Sequence, residues 1–217
     1  MPFSFLRRGK KEGPGKKAGT APSRVRAGIP FDGLTEEWRL VGFMDIETRL
    51  SDALNKRESI PITDVSWAPL DGSAGFSPVP GLQKVDPYDL IVVLASDRTL
   101  PPLTEAEKAA FKVHKVAYDV ALEVPPFRIV GTVYLYPGSE PDRLLDRSTE
   151  LFVPVTDAVA FYRDRPIGDP DIDVILVNRS YLRGVRQVDR QTVTASQALL
   201  HRATDGEPLI GDEPAAD

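Results

Sequence analysis

Two stretches of this chain carry nearly the same message. W-R-L-V-G occupies 38–42 and F-R-I-V-G occupies 127–131. R-L-x-D follows each, at 49–52 and 143–146, and then P-[IV]-T-D, at 61–64 and 154–157. Arg39/Arg128, Val41/Val130, Gly42/Gly131, Arg49/Arg143, Leu50/Leu144, Asp52/Asp146, Pro61/Pro154, Thr63/Thr156 and Asp64/Asp157 thus match in one order. Read this way, the chain is one unit written twice. A unit of about 55–65 residues buries too little surface to stand alone. Two copies related by an approximate two-fold can share a core.

The pattern inside each unit is strand, short helix, strand, loop, strand. WRLVGFMDI is apolar on both faces and reads as a buried strand. In RLSDALNKR, Leu50, Ala53 and Leu54 fall at i, i+3 and i+4, one face of a short helix. SIPITDVSWAPL is the next strand, its Pro61 suited to a strand start or an edge. The Gly- and Pro-rich DGSAGFSPVPGLQKVDP is a surface loop, and DLIVVLAS a buried strand. FRIVGTVYLY, PDRLLDR, LFVPVTDAVAFY, PIGDPD and DVILVNRSYL repeat this order, with Pro141 suited to the first helical turn.

Between the units, Thr104 and Glu107 have the spacing of a capping box, predicting a helix there. KVHKVAYDVALEV then alternates: Val116, Tyr118, Val120, Leu122 and Val124 face one way, which predicts a half-buried antiparallel strand. Thr194 and Gln197 predict a last short helix with the same box. The expected fold is α+β, mostly β, with duplicated β-α-β-β units packed with pseudo-two-fold symmetry. A barrel is one way to hide the sheet edges, and two separate beads are the alternative. The expected boundaries are a disordered basic arm at 1–28, unit one at 29–99, a connecting helix and strand at 100–124, unit two at 125–189, a helix at 190–203 and a disordered acidic tail at 204–217.

Charge divides the 217 residues differently. Residues 1–28 hold Arg7, Arg8, Lys10, Lys11, Lys16, Lys17, Arg24 and Arg26 against the single acid Glu12. The tail holds Asp205, Glu207, Asp212, Glu213 and Asp217 and no base. The formal net charge of −5 hides both. In the arm, Phe3, Phe5 and Leu6 precede the first cations, so apolar groups can enter a bilayer surface while Arg7, Arg8, Lys10, Lys11, Lys16 and Lys17 meet anionic lipid. The same cations could instead neutralise the phosphates of RNA or DNA, and the plain alternatives are a solvated tail with no partner or one that folds back on the acidic body. No apolar h-region follows the cations, and no run reaches the roughly 20 apolar residues of a spanning helix. A cytoplasmic protein, or one peripheral at the inner membrane face, is the expectation.

Chemistry is sparsely written. With no cysteine, disulfides, thiolate nucleophiles and cysteine-ligated metals are excluded. His114 and His201 are far apart and read as structural. GSAG at 72–75 is neither a nucleophile elbow nor a phosphate loop. Gly42 and Gly131, in mid-strand, predict a bulge or a close backbone approach. Asp64 and Asp157, like Asp52 and Asp146, are symmetry mates. Two carboxylates meeting across the two-fold could share a proton or hold a metal, and Asp64 and Asp157 would line a cleft between the repeats. T-D-[VA] departs from the D-[ST]-G of aspartic proteases, and the plainer reading has each T-D tying a loop through local hydrogen bonds. No catalytic residue, metal or cofactor is expected.

V-G, R-L-x-D-x-L-N, P-[IV]-T-D-[AV] and V-I-L-V-N, over 38–68 and 127–181, resemble stretches of small bacterial domains of the R-x-x-D-x-L-N and T-D-A type. The resemblance implies a tandem duplication of such a domain and no activity. The second unit lacks the L-N after its aspartate. The reading is a non-enzymatic interaction module whose arm meets an anionic membrane surface, with a protein partner of unknown kind. A ligand-binding or catalytic cleft between the repeats is the alternative, and nucleic-acid binding the third reading.

Overall fold

Alternating and continuous apolar runs become one twisted sheet. The computed structural model describes residues 28–96, 115–146, 150–172 and 174–205. The expectations for the basic arm, the helix at Thr104 and the acidic tail beyond Asp205 fall outside these residues.

Strands β1 (Ile29–Leu34), β2 (Trp38–Met44) and β3 (Ile60–Pro69) form a meander, and helix α1 (Leu50–Asn55) links the last two. The two-residue strands β4 (Ser77–Pro78) and β5 (Lys84–Val85) lie in the Gly- and Pro-rich loop before β6 (Val92–Ala95). A second meander, β7 (Val116–Val124), β8 (Phe127–Leu135) and β9 (Phe152–Tyr162), is followed by β10 (Arg165–Ile167), β11 (Val174–Asn178), β12 (Gly184–Gln187) and helix α2 (Arg190–Thr204). Bonded neighbours run β12-β7-β8-β9-β11-β6-β1-β2-β3-β4, with β10 beside β9 and β5 beside β3. All pairings are antiparallel. The protein is mostly β, in one open sheet rather than a closed barrel. Its edges are protected otherwise: β4 is two residues long and contains Pro78, and β12 is short and bears Arg186.

The centre explains why two runs did not alternate. Ile175, Leu176 and Val177 of β11 lie opposite Leu94, Val93 and Val92 of β6. Successive side chains point to opposite faces. Val92, Leu94, Ile175 and Val177 therefore join one core, with Val120, Leu122, Ile129 and Val155 of the second meander. Val93, Ala95 and Leu176 join the other, with Phe31, Leu40, Met44, Ile62 and Val65 of the first. The core of the first meander and the larger core of the second lie on opposite sides of the sheet, and β6 and β11 serve both.

The two meanders share a register. Arg39, Val41 and Phe43 face Ala68, Ser66 and Thr63. Arg128, Val130 and Thr132 face Phe161, Val159 and Thr156. Both ladders slip at the glycine, where two residues of the longer strand oppose one. The outer strand breaks the parallel: β11 pairs with β9, whereas β6 pairs with β1 and leaves β3 to β4 and β5.

Local differences have local causes. Leu50, Ala53 and Leu54 are buried on α1, as their spacing predicts. Pro141–Leu145 is a 3₁₀ turn rather than a helix, although Leu144 is buried as Leu50 is. α2 begins earlier than its expected box: Asp189 is the cap, and Thr194 lies within the helix, donating to the Arg190 carbonyl. On β7, Ala121 was expected to face solvent, but α2 covers it, packing Val193 and Leu200 on Ala121, Val130, Val159 and Phe161.

Candidate functional site

The two bulges make comparable corners on the sheet, and one of them is filled. Asp157 adopts φ 49° and Asp64 φ 51°, the left-handed region that aspartate tolerates better than most residues. The partner strand must come close there. A Cβ on Gly131 would meet the Thr156 carbonyl at 2.8 Å, and one on Gly42 the Thr63 carbonyl at 2.9 Å. The mid-strand glycines thus mark a bulge with a close backbone approach.

At the second-meander corner the Asp157 carboxylate projects to Arg190, the first residue of α2. Arg190 Nη2 donates to Asp157 Oδ2 at 2.8 Å, while Nη1 donates to Thr132 Oγ1 at 2.9 Å and Asp119 Oδ1 at 3.2 Å. Thr132 Oγ1 in turn donates to Asp119 Oδ1 at 2.6 Å. Asp189 sets the arginine in place by capping α2: its carboxylate accepts from Thr192 N at 2.8 Å and from Thr192 Oγ1 at 2.7 Å. The hydrogen bond to Asp157, then that to Asp119, raises the pKa of Arg190. The guanidinium is solvent-exposed and its charge screened, so its value lies in fixing the start of α2.

At the first-meander corner Phe43 and Pro30 occupy the register positions of Thr132 and Asp119. Pro30, Phe43, Thr63 and Asp64 are all exposed. Asp64 has no hydrogen bond or ion pair among the described residues. Gly28, where the basic arm joins the body, lies against this corner: a Cβ there would meet the Met44 carbonyl at 2.8 Å and Phe43 Cβ at 3.1 Å.

Asp64 and Asp157 are not brought together. β2, β1, β6 and β11 lie between β3 and β9, a separation of roughly 24 Å along the sheet at about 4.8 Å per strand. Neither T-D pair ends a strand; both lie inside β3 and β9. Phe3, Phe5, Leu6, Arg7, Arg8, Lys10, Lys11, Lys16 and Lys17, and also His114, lie outside the described residues. His201 stands in the last turn of α2, where a cation suits the helix dipole. A depression of about 280 Å³ beside α1 is lined by Asp45, Glu47, Lys56 and Glu58 among others. Among the described residues no group of three His, Cys, Asp or Glu side chains is placed to hold a metal ion, and no helix is long and apolar enough to cross a membrane.

Sequence reasoning missed the Arg190 corner. Asp119 reads as one of the positions of β7 opposite the Val116–Val124 face, Arg190 as the first residue of the expected helix and Asp189 as the last of unit two. The signal is Asp189, three residues before Thr192, a cap position ahead of the expected box. No family model, curated protein or solved structure matches the chain.

Proposed function

We propose that this chain is a non-enzymatic interaction module, in which an internally duplicated β body presents a basic arm to an anionic surface, a membrane leaflet foremost. The observation that carries this is the arm's composition: eight bases against one acid, preceded by Phe3, Phe5 and Leu6. Each base near an anionic leaflet contributes about 1 kcal/mol. Several of them with an apolar tip give the two-signal attachment that reversible peripheral binding requires. The duplication is supported by the repeated identities, the common register and the matching bulges. A half-turn about an axis lying across the strands, combined with a shift of five strand positions along the sheet, relates the strand directions and main core faces of the two meanders. A pure two-fold would either reverse their order or leave them in place. The unlike pairing of β6 and β11 is then a later divergence.

The test is co-sedimentation with vesicles containing phosphatidylserine, comparing the full chain with a chain starting at Ile29. Binding by the full chain alone, falling with salt, is expected. Equal binding by both removes the arm from the function. Tighter, steeply salt-dependent binding to RNA than to vesicles would replace the membrane with nucleic acid.

A further inference from the structure

We propose that the Asp64 corner is a docking point for the arm's own root arginines, Arg24 and Arg26, so that the body holds the base of the arm it presents. The protein itself supplies the template. Where the second meander carries the same register slip and the same left-handed aspartate, Asp157 holds Arg190 at 2.8 Å. At the first meander the aspartate is exposed and its neighbour is Phe43, 40% exposed, in place of Thr132. A carboxylate beside an open phenyl ring suits arginine in particular, whose planar guanidinium can pair with one and stack on the other. Such stacking recurs in this molecule: Arg128 lies 4.7 Å from the Phe161 ring centroid, Arg163 5.2 Å from Tyr162 and Arg39 5.9 Å from Phe76.

Reach permits the contact. β1 and β3 flank β2, so Asp64 is roughly 10 Å from the line of β1 at about 4.8 Å per strand. Arg26 and Arg24 precede Gly28 by two and four residues, at most about 7 and 14 Å of extended chain, before the length of their side chains is added. The lysines at 10, 11, 16 and 17 are farther from Gly28 in the chain, and the proposal leaves them to the anionic surface. The inference concerns the same arm as the proposed function, but the contact does not depend on what the arm binds.

The chain has no native cysteine, so Ser23→Cys gives a unique nitroxide site in the full chain. Paramagnetic broadening of backbone amides, measured without vesicles, locates the arm root. Broadening centred on Phe43, Asp64 and Val65, lost in high salt and in Asp64→Asn, is the expected result. Asparagine tolerates the left-handed conformation as aspartate does, so the variant keeps the bulge. Asp157→Asn should leave the broadening unchanged. Broadening centred elsewhere on the body, broadening indifferent to Asp64→Asn, or broadening only between labelled and unlabelled copies would each overturn the proposal. Vesicle binding is absent from this readout, so its failure is distinguishable from failure of the membrane reading.

Discussion

Asn55, the last residue of α1, hydrogen-bonds in both directions to the main chain of Phe152 at the start of β9. Phe152 N donates to Asn55 Oδ1 at 2.7 Å and Asn55 Nδ2 donates to the Phe152 carbonyl at 3.3 Å. The side-chain amide thus pairs with the end of β9 as a strand residue would, and ties the first meander's helix to the second meander. Phe152 is fully buried. Asn55→Ala would orphan the Phe152 N–H, which costs about 1–3 kcal/mol. Urea unfolding should show that loss with an unchanged slope. A variant as stable as its parent would mean the contact is incidental.

The glycines should rank. A Cβ on Gly131 would meet Ala158 Cβ at 2.7 Å, the Thr156 carbonyl at 2.8 Å and Val155 Cγ1 at 2.8 Å, two of them core side chains with little room to retreat. On Gly42 it would meet one carbonyl at 2.9 Å, with Phe31 Cε1 at 3.2 Å and Val65 Cα at 3.3 Å. Overpacking of this kind costs about 1–3 kcal/mol. Gly131→Ala should lie at the upper end and Gly42→Ala at the lower. The reverse order in thermal unfolding would contradict the packing described.

Two aspartates should respond to pH with opposite sign. The Thr192 hydroxyl, and then its N–H, hold the Asp189 carboxyl below its ordinary value. Asp189 therefore contributes stability above the unfolded carboxylate range, roughly 3.9, and loses it as pH falls through the lowered folded value. Burial, and then the neighbouring Asp86 charge, push Asp89 up. Its penalty applies above the raised folded value and vanishes below the unfolded one. Asp189→Ala should lower the melting temperature at pH 7, an effect that fades in strong acid. Asp89→Asn should raise it at pH 7 and be neutral near pH 3. If both variants shift stability equally at the two pH values, these assignments fail.

Period and apolar runs made much of this fold legible. The Leu50, Ala53 and Leu54 face, the strands at 60–69, 127–135 and 152–162, and the doubly buried 92–95 and 174–178 follow from residues alone. IPFDGL at 29–34 did not read as a strand: it is short, and its proline and glycine mask the alternation. Its position between β6 and β2 determines how the halves join. The V-I-L-V-N motif likewise made sense only in three dimensions. Asn178 is fully buried and donates to the Leu90 carbonyl at 2.8 Å and the Pro87 carbonyl at 3.2 Å. The Asp64 and Asp157 cleft failed because matched sequence positions need not be neighbours. Both aspartates sit on like bulges, and strand order keeps them apart.

Neither half should fold without the other. The core beneath the second meander takes Leu34, Ile91, Val92 and Leu94 from the first half, and the core of the first takes Leu151, Phe152 and Leu176 from the second. Burying one such side chain is worth about 1.5–3 kcal/mol, so losing four approaches the whole stability of a typical domain, about 5–15 kcal/mol. Chains spanning 28–96 or 115–205 would also expose β6 or β11 as an unpaired apolar edge. Each should give a dispersed amide proton spectrum only when mixed with its complement. A cooperative unfolding transition from either fragment alone would show that the cores are separable, and that the pairing of β6 with β11 joins two finished domains instead of completing both.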